Sequence, residues 1–203
     1  MITSGTGFGT DCASADQLSV HPMTLLRSWL PPSDEPRPLM ALATCGPDGY
    51  PRVRHVLITE ADDTAVYFHT DSRSAKVAEL ADNPRASIAI AWPAVGRQVV
   101  AHGDVRRASD DELSEAYSRR SRYLQLLAWL NDDDLAAMPP EERRRRWSDY
   151  DSAHPRLTAP PTWTGYAVDL REITFWRGDP DGPSQRVRFT DNGNHWNSEV
   201  LPG

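Results

Sequence analysis

Lys76 is the only lysine in the chain, and the other strongly basic side chains are all arginine. It closes the stretch Thr70-Asp71-Ser72-Arg73-Ser74-Ala75-Lys76, which lies between a strand-like run, Val66-Tyr67-Phe68-His69-Thr70, and a helical one, Val77-Ala78-Glu79-Leu80. The first amides of a helix lack intrahelical acceptors, so hydroxyls, free N–H groups and a lysine point charge can converge there on one phosphate. The same residues also make an ordinary helix start, with Ser72 or Ser74 as N-cap.

Other reactive groups are sparse. His55 and His69 could each move a proton, but both sit on strand-like runs, where a packed, hydrogen-bonded imidazole is the commoner role. Cys12 and Cys45 show no metal-ligand spacing, and no metal is expected. The absence of a Ser/His/Asp spacing, a paired-cysteine motif and a Gly-rich nucleotide loop argues against hydrolase, zinc and dinucleotide-fold chemistry. Arg143 to Arg146 could draw an anion, yet Glu141 and Glu142 precede them, and a solvated helix face accounts for the run.

The elements that must position these groups fit one domain. A length of 203 residues, 39% of them hydrophobic and 25% charged, is enough to bury a core, and 17 prolines imply many turns. A net charge of −7 argues against nucleic acid or an anionic membrane as the main partner. No apolar run has the length of a membrane span, the N-terminus has no basic segment followed by an apolar core, and the cysteine usage suits a reducing cytoplasm. Residues 1–20 are small and polar and read as a disordered or extended tail, with an ordered domain over 21–203.

Met23, Leu25, Leu26, Trp29 and Leu30 recur at helical spacing until Pro31-Pro32 stops them. Strands are expected over 39–44 and 52–59, joined through Gly46-Pro47-Asp48-Gly49, then over 64–70, 86–92 and 97–105, with one short helix over 74–80. From Ser109 the period turns helical, with Leu113, Tyr117, Leu124, Leu127 and Ala128 as apolar positions, and a second helix follows from Pro139. Strands over 165–170, 173–176 and 186–190 close the chain. This order predicts a mostly antiparallel β-barrel with helices at its rim.

The succession Leu42-Ala43-Thr44, Asp48-Gly49-Tyr50-Pro51, Arg54-His55-Val56-Leu57, Tyr67-Phe68-His69-Thr70, Asn83-Pro84, Trp92, Arg97-Gln98-Val99 and Gly103 resembles the FMN-binding split barrel of the pyridoxamine 5′-phosphate oxidase family. Pro161 to Tyr166, Phe175-Trp176-Arg177-Gly178 and the final Leu201-Pro202 extend the resemblance over roughly residues 20–203. It implies an antiparallel split β-barrel and a homodimer with FMN at the interface. Carried across residue by residue, it implies cofactor contacts at Arg54, His55, Val56, Leu57, His69, Thr70, Arg73, Ser74, Lys76 and Gln98. It adds Trp176 and Arg186 from the partner chain. Ala75 stands where the family's phosphate motif has an arginine, and Arg73 is near enough in sequence to substitute.

The substrate positions depart from the resemblance. Thr59 replaces a lysine, and Gly182 and Ser184 fall where vitamer-oxidising members have an arginine and a histidine. Tyr117 and Arg120 resemble the substrate-phosphate tyrosine and arginine across a one-residue gap, and Asp133-Asp134 replaces a Gln-Ser pair. A phosphate dianion needs several cationic or N–H donors, so these losses disfavour it. The expected activity is an FMN-dependent oxidoreductase acting on a small aromatic or heterocyclic substrate, in the manner of phenazine-pathway oxidases. The alternatives are a pyridoxamine or pyridoxine 5′-phosphate oxidase, a reductase using F420, and a non-catalytic flavin- or haem-binding module.

Overall fold

The computed structural model describes residues 20–32, 35 and 38–203. The tail expected over 1–20 lies outside them except for Val20, and Cys12 lies outside with it. The elements run α1 (Pro22–Trp29), β1 (Leu39–Cys45), β2 (Pro51–Leu57), β3 (Glu60–Ala61), β4 (Ala65–Asp71), α2 (Ala75–Asp82), β5 (Arg85–Trp92) and β6 (Arg97–Arg107). They continue with α3 (Asp110–Ser118), α4 (Arg122–Leu130), α5 (Asp133–Ala137), α6 (Pro140–Ala153), β7 (Trp163–Arg177), β8 (Gln185–Asp191) and β9 (Trp196–Leu201).

Among the described residues the strands form one sheet in the order β2-β1-β5-β6-β7-β4-β3, and β8 branches from β7 to carry β9. The registered pairs are antiparallel, as in Leu42↔Arg54, Ile88↔Ala101 and Phe175↔Val187. This is the mostly antiparallel barrel with helices that the order of elements predicts, in the split form that the family resemblance implies. By contacts the chain divides into two compact units, the first holding the described residues through Phe68 with Ala75–Arg106 and Tyr166–Gly203. The second holds His69–Ser74 and Arg107–Gly165.

Alternation decides which face of the first unit's sheet is buried. Met40, Leu42, Ile88, Ile90, Val99 and Ala101 face the core with Met23 and Leu26 of α1, Phe68, Val168, Ile173 and Phe189. Trp29 stands edge-on to Trp92 at 5.9 Å and to Phe175 at 5.1 Å. The opposite face of β2, β1, β5 and β6 presents Val53, Ala41, Ala43, Ala89 and Val100, and Val53 is 65% exposed. The second unit has a smaller core of Ala108, Leu113, Tyr117 and Trp163. No helix among the described residues is long and apolar enough to cross a membrane.

Three local expectations differ from the structure. The strands expected over 165–170 and 173–176 are one strand, because Arg171 turns outward to Asp104 at 2.8 Å and Asp191 at 3.1 Å while Glu172 stays in register with Thr190. The helix expected from Ser109 through Ala128 breaks at 119–121, where the Ser121 hydroxyl accepts from Leu124 N–H and starts α4 afresh. β9 went unread because Trp196-Asn197-Ser198-Glu199-Val200-Leu201 lacks alternation, and its pairing is with β8 alone.

Where β6 meets β7, a Cβ on Gly103 would lie 2.1 Å from the Asp169 carbonyl oxygen. The two backbones approach too closely for any side chain there. Gly103→Ala is expected to lower unfolding free energy by roughly 1–3 kcal/mol through forced strand separation, as measured by urea denaturation; an unchanged midpoint would show that the strands relax freely.

Candidate functional site

Two groups of candidate residues gather within the first unit. The first centres on Arg54, which β2 aims to the same side as Leu42 and Thr44 of β1. Its Nη2 donates to Glu79 Oε2 at 2.6 Å, and its Nη1 donates to the Thr44 hydroxyl and to Leu42 O at 3.4 Å. The Thr44 hydroxyl in turn donates to Glu79 Oε2. Burial by itself raises the Glu79 pKa, but the Thr44 hydroxyl and the Arg54 and Arg52 guanidinium groups outweigh it and hold the carboxyl below its ordinary value. Lys76 lies one helical turn before Glu79 on α2, so one short helix carries both groups.

The second group is an open recess of about 350 Å³ lined by Gln98 and Val100 of β6, Thr174 and Trp176 of β7, and Arg186 and Arg188 of β8, with Leu201. Trp176 pairs in register with Arg186. Residues distant in sequence thus meet because β7 is paired on both sides. His55 is exposed on β2, opposite Ala41, while Val56 and Leu57 are half-buried opposite Met40 and Leu39.

In the second unit, His69 lies flat against Trp163 with ring centroids 4.9 Å apart and planes 4° apart. The Arg120 guanidinium stands over the same indole at 4.5 Å, and Tyr117 meets it edge-on at 5.4 Å. Trp163 Nε1 donates to Leu113 O at 3.1 Å, which fixes the indole plane. No carboxylate among the described residues pairs with Arg120, and its buried Nε has no hydrogen-bond partner there. Burial lowers the Arg120 pKa, yet a guanidinium stays protonated at any accessible pH. For His69, burial first and the Arg120 charge second pull the pKa down to about 4.

The remaining expected residues are placed as follows. The Thr70 and Ser74 hydroxyls are 3.4 Å apart, and Ser74 directly precedes α2. Arg73 is bidentate on Asp71, with Nε to Oδ1 at 2.9 Å and Nη2 to Oδ2 at 2.7 Å, so that carboxylate already occupies one edge of its guanidinium. The Thr59 hydroxyl donates to Tyr67 O at 3.0 Å. Gly182 sits in an exposed loop beside Asp179, and Ser184 packs against Gly203. Sequence reading missed Glu79 and Trp163 as site residues. A glutamate on the apolar face of a helix, beside Leu80, was the available signal for the first.

The sequence pattern of the family described as "Pyridoxamine 5′-phosphate oxidase" matches residues 34–149, and that described as "Pyridoxine 5′-phosphate oxidase C-terminal dimerisation region" matches residues 163–202. A pyridoxine/pyridoxamine 5′-phosphate oxidase of Acidothermus cellulolyticus is 33% identical over 85% of this chain and 80% of its own. One of Salinibacter ruber is 31% identical over 93% and 92%. Among solved structures, PhzG from Burkholderia lata 383 in complex with tetrahydrophenazine-1-carboxylic acid superposes with a TM-score of 0.81, at 25% identity, over 96% of this chain and all of that one. A pyridoxamine 5′-phosphate oxidase-related FMN-binding protein of Nostoc punctiforme gives 0.55 at 23% identity, over 81% and 87%, a likeness of fold.

The His69 environment makes stability depend on pH. The folded pKa of about 4 lies below the ordinary 6.5, so between those values the unfolded chain takes up a proton that the folded chain refuses. Stability from this residue is full above pH 6.5 and falls as pH drops toward 4, by at most about 3 kcal/mol. His69→Phe, which keeps a flat ring against Trp163, is expected to flatten this part of the profile. Urea midpoints at pH 7 and pH 4.5 that differ equally in both proteins would contradict it.

Proposed function

Since the chain belongs to the pyridoxamine 5′-phosphate oxidase family, we propose that it is an FMN-dependent oxidoreductase. It works as a homodimer, and its substrate is a small aromatic or heterocyclic ring carrying a carboxylate rather than a phosphate. The carrying observation for the cofactor is the recess that holds Gln98, Trp176 and Arg186 together, together with a separate cationic pair, Arg54 and Lys76. The donor set suits FMN. Arg54 and Lys76 match a phosphate, the Gln98 amide can both donate to and accept from a heterocycle edge, and Trp176 and Arg186 offer a flat apolar surface and a cation. FMN, when bound, supplies the two-electron chemistry.

The dimer reading rests on the match of residues 163–202 to the family's dimerisation region and on the exposed sheet face of Val53, Ala41, Ala43, Ala89 and Val100. A second copy covers that face, which includes the Val100 side of the recess. In this arrangement Gln98 comes from the same chain as Trp176 and Arg186, since all three line one recess. A reducing cytoplasm suits the free thiol of Cys45.

Among the residues expected at the substrate, Thr59, Tyr117, Arg120, Gly182 and Ser184, Arg120 is the one cation. Thr59, Gly182 and Ser184 bring no charge, and the Thr59 hydroxyl is already bonded to Tyr67 O. One desolvated guanidinium matches a monoanion better than a dianion. The carboxylated tricycle bound by the Burkholderia lata PhzG has this character. The second reading, oxidation of pyridoxine 5′-phosphate, is favoured by the names of relatives 31–33% identical.

Three measurements test the proposal. Purified protein is expected to carry FMN, and Lys76→Ala to weaken FMN affinity roughly tenfold to a hundredfold through loss of a charge-assisted contact; unchanged affinity removes Lys76 from the site. Val53→Glu is expected to shift the protein from dimer to monomer in sedimentation, and a wild-type monomer loaded with flavin would defeat the dimer. Steady-state oxidation of a reduced phenazine carboxylate should exceed that of pyridoxine 5′-phosphate on the same preparation. Turnover of the phosphate at about 10⁴ M⁻¹s⁻¹ or better would install the vitamer-oxidase reading instead.

A further inference from the structure

We propose that Glu79 is a positioning residue for the cofactor phosphate, holding Arg54 in the orientation that receives it; this rests on the FMN reading above. Glu79 is 3% exposed, and its Oε2 accepts from both Thr44 and Arg54 while Oε1 lies 3.5 Å from Arg52 Nη1. Thr44 has one hydroxyl hydrogen. It gives this to Glu79 and accepts from Arg54 Nη1, so Arg54, Thr44 and Glu79 close a ring of hydrogen bonds.

The ring has a directional result. Both Nη1 hydrogens of Arg54 are turned inward, to Thr44 and Leu42 O, and one Nη2 hydrogen goes to Glu79. Nε–H and the second Nη2 hydrogen have no acceptor among the described residues. The donors left over are therefore fixed in direction before any anion arrives, and the rotamer entropy of a long side chain is already lost. Lys76, one turn earlier on the helix that Glu79 pins to Thr44 of β1 and Arg54 of β2, is placed by the same contact.

A carboxylate near a phosphate site also repels the phosphate, so the sign of the effect is informative. If direct charge dominated, removing Glu79 would strengthen FMN binding; if orientation dominates, it weakens it. Two cations, Arg52 and Arg54, face this one carboxylate and offset most of its field. Glu79→Gln preserves shape but sets an amide N–H₂ among groups that donate, which breaks the ring.

The experiment compares FMN with riboflavin, which has the same ring system and no phosphate, by fluorescence titration of the flavin-stripped full chain. Wild type is expected to prefer FMN strongly. Glu79→Gln should lower FMN affinity by about tenfold or more while riboflavin affinity stays within about twofold, so the preference collapses. Thr44→Val, which opens the ring and leaves the Glu79 charge in place, should move the preference the same way by a smaller factor, and it decides the matter if the glutamine variant fails to fold. An unchanged preference in both variants, a parallel loss of both flavins, or tighter FMN binding in Glu79→Gln each overturns the positioning role. A wild type that binds neither flavin, or both alike, overturns the FMN reading on which it stands.

Discussion

β7 is the constraint from which the rest of the first unit follows. Its backbone must find hydrogen-bond partners along Trp163–Arg177, and it finds them in β6, β4 and β8 at different points of its length. One strand therefore ties the early hairpin strands, the middle of the chain and the C-terminal hairpin into a single sheet. The close approach at Gly103 is the local cost of that junction, and the recess holding Gln98, Trp176 and Arg186 lies along it.

Charge is handled differently in the two places where it is buried. Around Glu79 a carboxylate is surrounded by donors, and its pKa stays low although burial opposes ionisation. Around Trp163 no carboxylate among the described residues pairs with Arg120, and burial first and the Arg120 charge second hold the neighbouring imidazole's pKa low. The first arrangement satisfies the carboxylate, leaves two Arg54 donors over and serves to orient. The second holds a positive charge against an aromatic plane, where an incoming anion can complete it.

The sequence made most of the fold legible because β1, β5 and β6 obey alternation. Ala86, Ile88 and Ile90 alternate with Arg85, Ser87 and Ala89, and the burial of β5 follows that pattern residue by residue. Legibility failed where tertiary pairing overrode local signal. Arg171-Glu172 reads as a break until the carboxylates of Asp104 and Asp191 are brought to Arg171, and β9 is a strand only because β8 lies beside it. For the candidate site, motif order puts forward Arg54, Lys76, Gln98, Trp176 and Arg186, but spacing carries no information on what a guanidinium touches. Arg73, near enough in sequence to replace a missing arginine, is bidentate on Asp71, two residues away. The partners of Glu79 come from β1 and β2, a relation invisible in a helix of eight residues read alone.

Lys76 remains the one ε-amine in a chain whose other strong cations are guanidinium groups. Acylating reagents and aldehydes that attack amines therefore meet a single side-chain target, and it stands in the first turn of α2. The arginine-rich surface keeps its charge through such treatment, because a guanidinium does not surrender its proton under those conditions. A lysine-directed protease has one bond to cut, between Lys76 and Val77, and that bond is closed to it until the helix opens. Side-chain amine chemistry on this protein thus addresses one helical turn.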